Sequence, residues 1–193
     1  QTLIDEKLAR PILIGREKVI EMRIKKLRLR LEKDADYDLV DPEDDPRYRD
    51  YWTYYHTLME RKGVTPAVAK LVLRTNPTAI AALMVARGAA DAMICGVVGQ
   101  YHEHMKHVQD IIGIKQGAET AAACVGVIAP KQTVFFCDTH VNPNPSVAQI
   151  VEMTLLAAQE MRNFGREPKV AMVSQSNFGT HNHPSAVKMR QAV

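Results

Sequence analysis

Local chemistry marks five helix starts in this chain, short apolar runs fall between them, and that alternation constrains the fold more than any other feature. The starts are Asp45-Pro46, Thr65-Pro66, Pro77, Ser146-x-x-Gln149 and Pro184. Proline at the first helical position loses no hydrogen bond, because that N–H has no partner within the helix. An Asp or Thr just ahead of it accepts from the free N–H groups of the first turn. Ser146 and Gln149 have the spacing at which each side chain satisfies the other's backbone. Between these starts, Arg10–Gly15, Tyr37–Val40, Asp91–Cys95, Ala121–Ile128, Thr133–Cys137 and Val170–Val173 read as strands. Two further helices are expected over the basic run Arg16–Lys33 and over Gln100–Ile112, and a helical tail over Thr2–Ala9. Gly63 is placed to close the helix that Asp45-Pro46 opens. Strands alternating with helices predict an α/β protein with a largely parallel sheet, and the hairpin around Pro130-Lys131 adds an antiparallel edge. Gly, Lys and Gln cluster over 113–117, which divides the chain into residues 1–113 and 114–193.

With 193 residues the chain can bury a real core. Its net charge is +3, and the basic residues concentrate in Arg16–Lys33. Glu17, Glu21 and Glu32 interrupt that run and no aromatic residue interleaves it, so it reads as a solvated helix face and nucleic acid is excluded as a partner. The three cysteines, Cys95, Cys124 and Cys137, sit singly in apolar runs without a zinc-type spacing. They are expected to be buried thiols in a reducing cytoplasm. No segment approaches the roughly twenty apolar residues of a membrane span, and no membrane partner is expected. The chain begins with Gln1 in a helical pattern and stops at Val193 in another, so it is expected to be a piece of a longer polypeptide.

Two polar loops follow strands directly, at the end of a sheet where α/β proteins tend to bind ligands. One runs from Ser174 to Asn182, ahead of the helix at Pro184. Hydroxyls, amides and a helix N-terminus suit an anion there, phosphate above all, although neither standard phosphate fingerprint is present. The other comprises Asp138, Thr139, His140, Val141 and Asn142. Asp138 or His140 has the chemistry of a general base, but Asp138 and Asn142 are more simply read as satisfying backbone groups of a turn. His104 and His107 share a helix face while His102 points elsewhere, and no carboxylate or thiolate completes a metal-ligand set. Ser174 and Ser176 lack the G-x-S-x-G elbow of an activated serine. The Trp52, Tyr54 and Tyr55 cluster reads as core or subunit interface.

Together these segments resemble the phosphate acetyl/butyryltransferase family. The resemblance is carried by RPILIG (Arg10–Gly15), ADAMICG (Ala90–Gly96), FFCDTHVNPNPSVAQIVEMTLLAA (Phe135–Ala158) and VAMVSQSNFG (Val170–Gly179). DPRYRDYW (Asp45–Trp52), RKGVTP (Arg61–Pro66), CDTHVN (Cys137–Asn142) and SNFG (Ser176–Gly179) look most like the carboxyl-terminal, phosphotransacetylase-like region of large bacterial NADP-dependent malic enzymes. The resemblance implies a three-layer α/β/α fold of two subdomains with a cleft between them, similar to isocitrate and isopropylmalate dehydrogenases. Residues 1–113 would form the first subdomain and 114–193 the start of the second. It also implies acetyl-CoA or a related CoA ester as ligand, a homo-oligomer, and a separate amino-terminal malic-enzyme domain as partner. NADP and a divalent metal would belong to that domain, with no cofactor in this region. The ligand contacts implied are Lys106, Asp138, Asn142, Ser174, Ser176, Asn177 and Gly179.

The departures from the family pattern bear on turnover. Active phosphotransacetylases usually read S-T-K-G where this chain has Ser176, Asn177, Phe178 and Gly179, so Phe178 stands in place of a phosphate-holding lysine. They usually carry a histidine at the position of Gly99 and an arginine at that of Lys106. A lysine replaces an arginine poorly in two-pronged phosphate recognition. The family's catalytic carboxylate and its arginine lie beyond Val193. Three readings follow: an acetyl-CoA-sensing region of a malic enzyme without catalytic residues of its own, a working phosphate acetyltransferase, or a purely structural oligomerisation module.

Overall fold

The computed structural model describes residues 1–193, except for the side chain of Phe178. The backbone separates into two compact units, Gln1–Gly113 and Ile114–Val193.

In the first unit, strand β1 (Ile12–Ile14) leads through helix α2 (Glu17–Lys26) to strand β2 (Asp38–Val40), preceded by the single turn α1 (Thr2–Asp5). β1 and β2 pair in parallel, Ile12 opposite Asp38 and Ile14 opposite Val40. Arg10 fixes this register from outside: its Nε and Nη2 donate to the two Asp38 oxygens at 3.1 and 2.6 Å, and its guanidinium also reaches the carbonyls of Asp34 and Ala35. Asp41 caps α2 from the far side of the crossover, accepting from Glu17 N at 3.0 Å. α2 is shorter than the basic run predicts. Arg28 turns left-handed (φ 53°), which stops the helix, and Arg30 crosses to pair with Asp5.

Four helices follow: α3 (Tyr48–Met59), α4 (Pro66–Thr75), α5 (Pro77–Ala86) and α6 (Tyr101–Ile111). α3 starts later than Asp45-Pro46 suggests, because Asp45 accepts from Arg47 N and grips its guanidinium, which holds 45–47 in a turn. A short 3₁₀ turn and left-handed Gly63 (φ 85°) end that helical stretch as expected. Thr65 caps α4 and Asn76 caps α5. α5 forms the centre of this unit: Ala79, Ile80, Ala82, Leu83 and Met84 are all buried, packed among Tyr51, Tyr55 and Met59 of α3, Ala69 and Leu73 of α4, Val40 and Ile111. α4 and α5 meet at a bend of 103°, and among the described residues no single helix is long and apolar enough to cross a membrane.

The second unit contains strands β3 (Cys124–Ala129) and β4 (Gln132–Cys137), helix α7 (Val147–Asn163), a 3₁₀ turn (Asn177–Gly179) and helix α8 (Pro184–Ala192). β3 and β4 form the expected hairpin across Pro130-Lys131, in a two-stranded sheet of its own. The capping box of α7 is present, with Ser146 and Gln149 each accepting from the other's backbone N–H.

Two expected strands do not form. Asp91–Cys95 and Val170–Val173 have strand composition but no paired neighbour among the described residues, and Ile94, Val170 and Val173 stand exposed. A strand is defined by backbone bonds to a partner, which apolar composition alone does not supply. The cysteines differ from expectation for the same reason: all three are exposed residues, Cys95 on an unpaired segment and the other two on the open hairpin.

Candidate functional site

The loop after β4 is organised by a single carboxylate. Asp138 Oδ1 accepts from Ala123 N at 2.9 Å and from His140 N and Val141 N at 3.3 Å. Its Oδ2 accepts from Asn142 N and Asn142 Nδ2, both at 2.7 Å. Burial opposes the Asp138 charge, but these donations outweigh it and hold the carboxyl below its ordinary range. A carboxylate with both oxygens so occupied is a loop organiser, the Asx role, and is poorly placed to take a proton as a base. Asn142 completes the arrangement, its amide also donating to Ala121 O at 2.8 Å and lying against Met153 Sδ. The loop is thereby tied to the segment entering β3 and to α7.

The second loop folds on itself through hydroxyls. Ser174 Oγ accepts from Ser176 N at 3.1 Å, and Ser176 Oγ accepts from His181 N at 2.8 Å. Neither bond sets a base beside a serine, which removes the nucleophile reading. Gly179 is left-handed (φ 69°), and a Cβ there would sit 3.2 Å from Arg190 Cγ. Asn177 is exposed. The inference drawn from Phe178 rests on a side chain outside the described residues.

Both loops are held by two basic residues of α8 that the sequence analysis did not single out as site residues. Lys188 Nζ donates to Asn144 Oδ1 at 2.6 Å and to Pro145 O at 3.0 Å. Arg190 donates to the carbonyls of Gly179 and His181 and to Asn182 Oδ1. Every one of these acceptors is neutral, and among the described residues neither cation has a carboxylate partner. Two positive charges therefore border the loops without local compensation. The available signal was a helix opening just after a polar loop, with Lys and Arg in its second turn.

Lys106 lies in the first unit. Its ammonium pairs with Asp110 at 2.5 Å, and Lys62 pairs with the other Asp110 oxygen at 2.6 Å. Burial opposes ionisation of Asp110, while the two lysines hold its carboxyl below the ordinary range. An anion contact by Lys106 must compete with that pair, in which the lysine is exposed while Asp110 is mostly buried. Nearby, His104 Nδ1 meets Thr78 Oγ1 at 2.7 Å and its Nε2 donates to Val98 O at 2.7 Å. His107 Nε2 meets Asn76 Nδ2 at 2.8 Å. Both rings thus join α6 to the start of α5. Among the described residues no three His, Cys, Asp or Glu side chains come together as a metal site.

Comparison with known proteins accords with this architecture. The whole chain, residues 1–193, matches the family model described as phosphate acetyl/butaryl transferase. It is 49% identical over 193 residues to the NADP-dependent malic enzymes of Haemophilus influenzae and Escherichia coli, spanning 26% and 25% of their lengths. It is 29% identical over 191 residues to a phosphate acetyltransferase of Synechocystis, spanning 27% of that protein. The chain thus covers about a quarter of the length of the relatives it matches. In fold it resembles the EutD phosphotransacetylase from Staphylococcus aureus, with a TM-score of 0.79 and 23% identity, over 95% of this chain and 54% of that one. An α/β chain with a small parallel sheet, the phosphotransacetylase fold and a family match along its full length belongs to the phosphate acetyl/butaryl transferase family.

Proposed function

We propose that this chain is the phosphotransacetylase-like region of a malic enzyme, where it binds acetyl-CoA or a related CoA ester and serves regulation and oligomerisation. In this reading residues 1–113 are a first subdomain and 114–193 the beginning of a second, in a cytoplasmic protein. NADP and a divalent metal serve malate oxidation in a separate amino-terminal domain. The malic-enzyme assignment is supported by identity near one half to malic enzymes over the entire chain, against 29% to a phosphate acetyltransferase.

The observation that carries ligand binding is the pair of uncompensated cations, Lys188 and Arg190, beside two polar loops. A CoA ester brings phosphates, and cations with only neutral partners gain most from a phosphate. Ser174, Ser176, Asn177, Gly179 and Asn142 are the polar residues of these loops assigned to the ligand, and Asp138 organises its own loop; Lys106, in the first unit, is a separate contact carried only by the family resemblance. Several features argue against turnover. Asp138 is saturated with donors, among the described residues no base is hydrogen-bonded to Ser174 or Ser176, and lysine stands where the family usually carries arginine at position 106.

The test is calorimetric titration of the whole natural protein with acetyl-CoA, run beside an assay of thioester formation from acetyl phosphate and CoA. Binding without turnover is expected. Turnover at an ordinary enzymatic rate would make the region a working phosphate acetyltransferase, and absence of binding would leave an oligomerisation module.

A further inference from the structure

Cys124 and Cys137 begin and end the β3–β4 hairpin, directly opposite one another. The hairpin turn has two residues, Pro130 and Lys131, so the closing pair Ala129–Gln132 is a hydrogen-bonded one. Pair types alternate along an antiparallel ladder. Counting back from the turn, Ile128–Thr133, Gly126–Phe135 and Cys124–Cys137 are the non-hydrogen-bonded pairs, whose Cα atoms lie about 4.5 Å apart. That separation is within the roughly 4.4–6.8 Å range of disulfides, and directly opposed side chains point to the same face. Burial pushes the Cys137 thiol up to about 11, and the neighbouring Cys124 adds to the rise. The Cys137 sulfur is turned toward Met153 O of α7, at 3.9 Å, although the residue as a whole is exposed. Phe135, on the same face, lies over Gly126, where an added Cβ would come within 3.1 Å of its ring. Both cysteines are free thiols in the structure.

We propose that Cys124 and Cys137 are a reversible dithiol–disulfide site, oxidised by a small-molecule disulfide to a covalent staple across the mouth of the hairpin. The Cys124 thiolate attacks one sulfur of the small disulfide, forming a mixed disulfide and expelling one small thiolate. The Cys137 thiolate then attacks the Cys124 sulfur, closes the protein disulfide and expels the second small thiolate. The two protons given up by the cysteines end on the two released thiols, so two protein thiols are oxidised and one small disulfide is reduced. Cys124 is assigned the first attack because Cys137 is the more deeply set and the more strongly raised of the two. Raised thiols react slowly at neutral pH and faster in alkali, because the thiolate is the nucleophile. The staple abuts the organised loop: Asp138 follows Cys137, and its Oδ1 accepts from the N–H of Ala123, which precedes Cys124. Closing the disulfide therefore pins the two segments that Asp138 already joins.

The test treats the whole natural protein with glutathione disulfide at pH 8.5, followed by alkylation of the remaining thiols and peptide mapping. The expected result is joint loss of alkylation at Cys124 and Cys137, a crosslinked peptide containing both, and recovery on adding dithiothreitol. Cys137→Ser should trap the glutathione adduct on Cys124 instead. The wild-type mapping stands without that variant should the substitution impair folding. Persistent glutathione adducts in the wild type, pairing of either cysteine with Cys95, or oxidation of Cys95 while both hairpin thiols remain free would each overturn the proposal.

Discussion

Replacing Asp138 by Asn removes charge from the loop after β4 while nearly preserving shape, and the hydrogen bonds set the cost. An asparagine oxygen can take over either the Oδ1 set, from Ala123 N, His140 N and Val141 N, or the Oδ2 set, from Asn142 N and Nδ2. Whichever is kept, the new NH2 faces donors on the other side. Keeping the larger set sacrifices the two 2.7 Å bonds. Bonds to a charged acceptor are worth about 1.5–3 kcal/mol each. Water reaches this half-buried site and recovers part of that, leaving an expected loss of about 2–4 kcal/mol. Because about 1.4 kcal/mol is a tenfold change, the Asn142 amide, whose acceptor is lost, should exchange hydrogen roughly 30- to 1,000-fold faster in Asp138→Asn. The whole natural protein is the sample, with amides of α5 as an internal reference expected to stay unchanged. The effect has a defined pH dependence. Asp138 is held below its ordinary 3.8, so its contribution is complete above that value and is lost as pH falls through the lower folded value. Wild type and variant should differ fully at pH 7 and converge in strong acid. Acceleration below about threefold at pH 7 would refute the reading of Asp138 as loop organiser.

Three further outcomes follow from the geometry. His107 is held below its ordinary 6.5, first by burial and then by Lys106; Asn76 Oδ1 already accepts from Ala79 N, so its amide nitrogen must donate to His107 Nε2. Protonating His107 would set donor against donor at the cap of α5, so thermal stability of the first unit should fall as pH drops below about 6.5, and His107→Gln should flatten that dependence in differential scanning calorimetry. Leu83→Ala, at a fully buried centre of α5, should cost about 2–5 kcal/mol in denaturant unfolding, whereas Leu71→Ala, exposed on α4, should cost under about 1 kcal/mol. Arg190→Ala should weaken acetyl-CoA binding about 10- to 100-fold in calorimetry through loss of a charge-assisted contact, and should loosen the loop at Gly179 and His181.

What the sequence made legible was local. Thr65, Pro77, Ser146 with Gln149, Gly63 and Pro184 act through neighbours within a few residues, and each marks a helix end in the structure. The hairpin was equally readable, because a two-residue turn flanked by β-branched and aromatic residues carries its own register. Strand identity at Asp91–Cys95 and Val170–Val173 was not readable, since it depends on partners distant in sequence. At the candidate site the Asx role of Asp138 and Asn142 could be anticipated from their place after a strand. The hold of Lys188 on Asn144 and of Arg190 on Gly179 could not, because each joins segments separated by a stretch that residue spacing does not span. The free charge of these two cations is likewise a property of tertiary structure, visible only once every acceptor around them is known to be neutral.

If this region senses a CoA ester on behalf of a malate-oxidising domain, the rate of malate oxidation in the whole natural protein should respond as acetyl-CoA is raised. A saturable fall in rate is expected, shifted to higher acetyl-CoA concentration by Arg190→Ala, with the uninhibited rate retained. A rate that stays flat across concentrations at which calorimetry shows acetyl-CoA bound would contradict it.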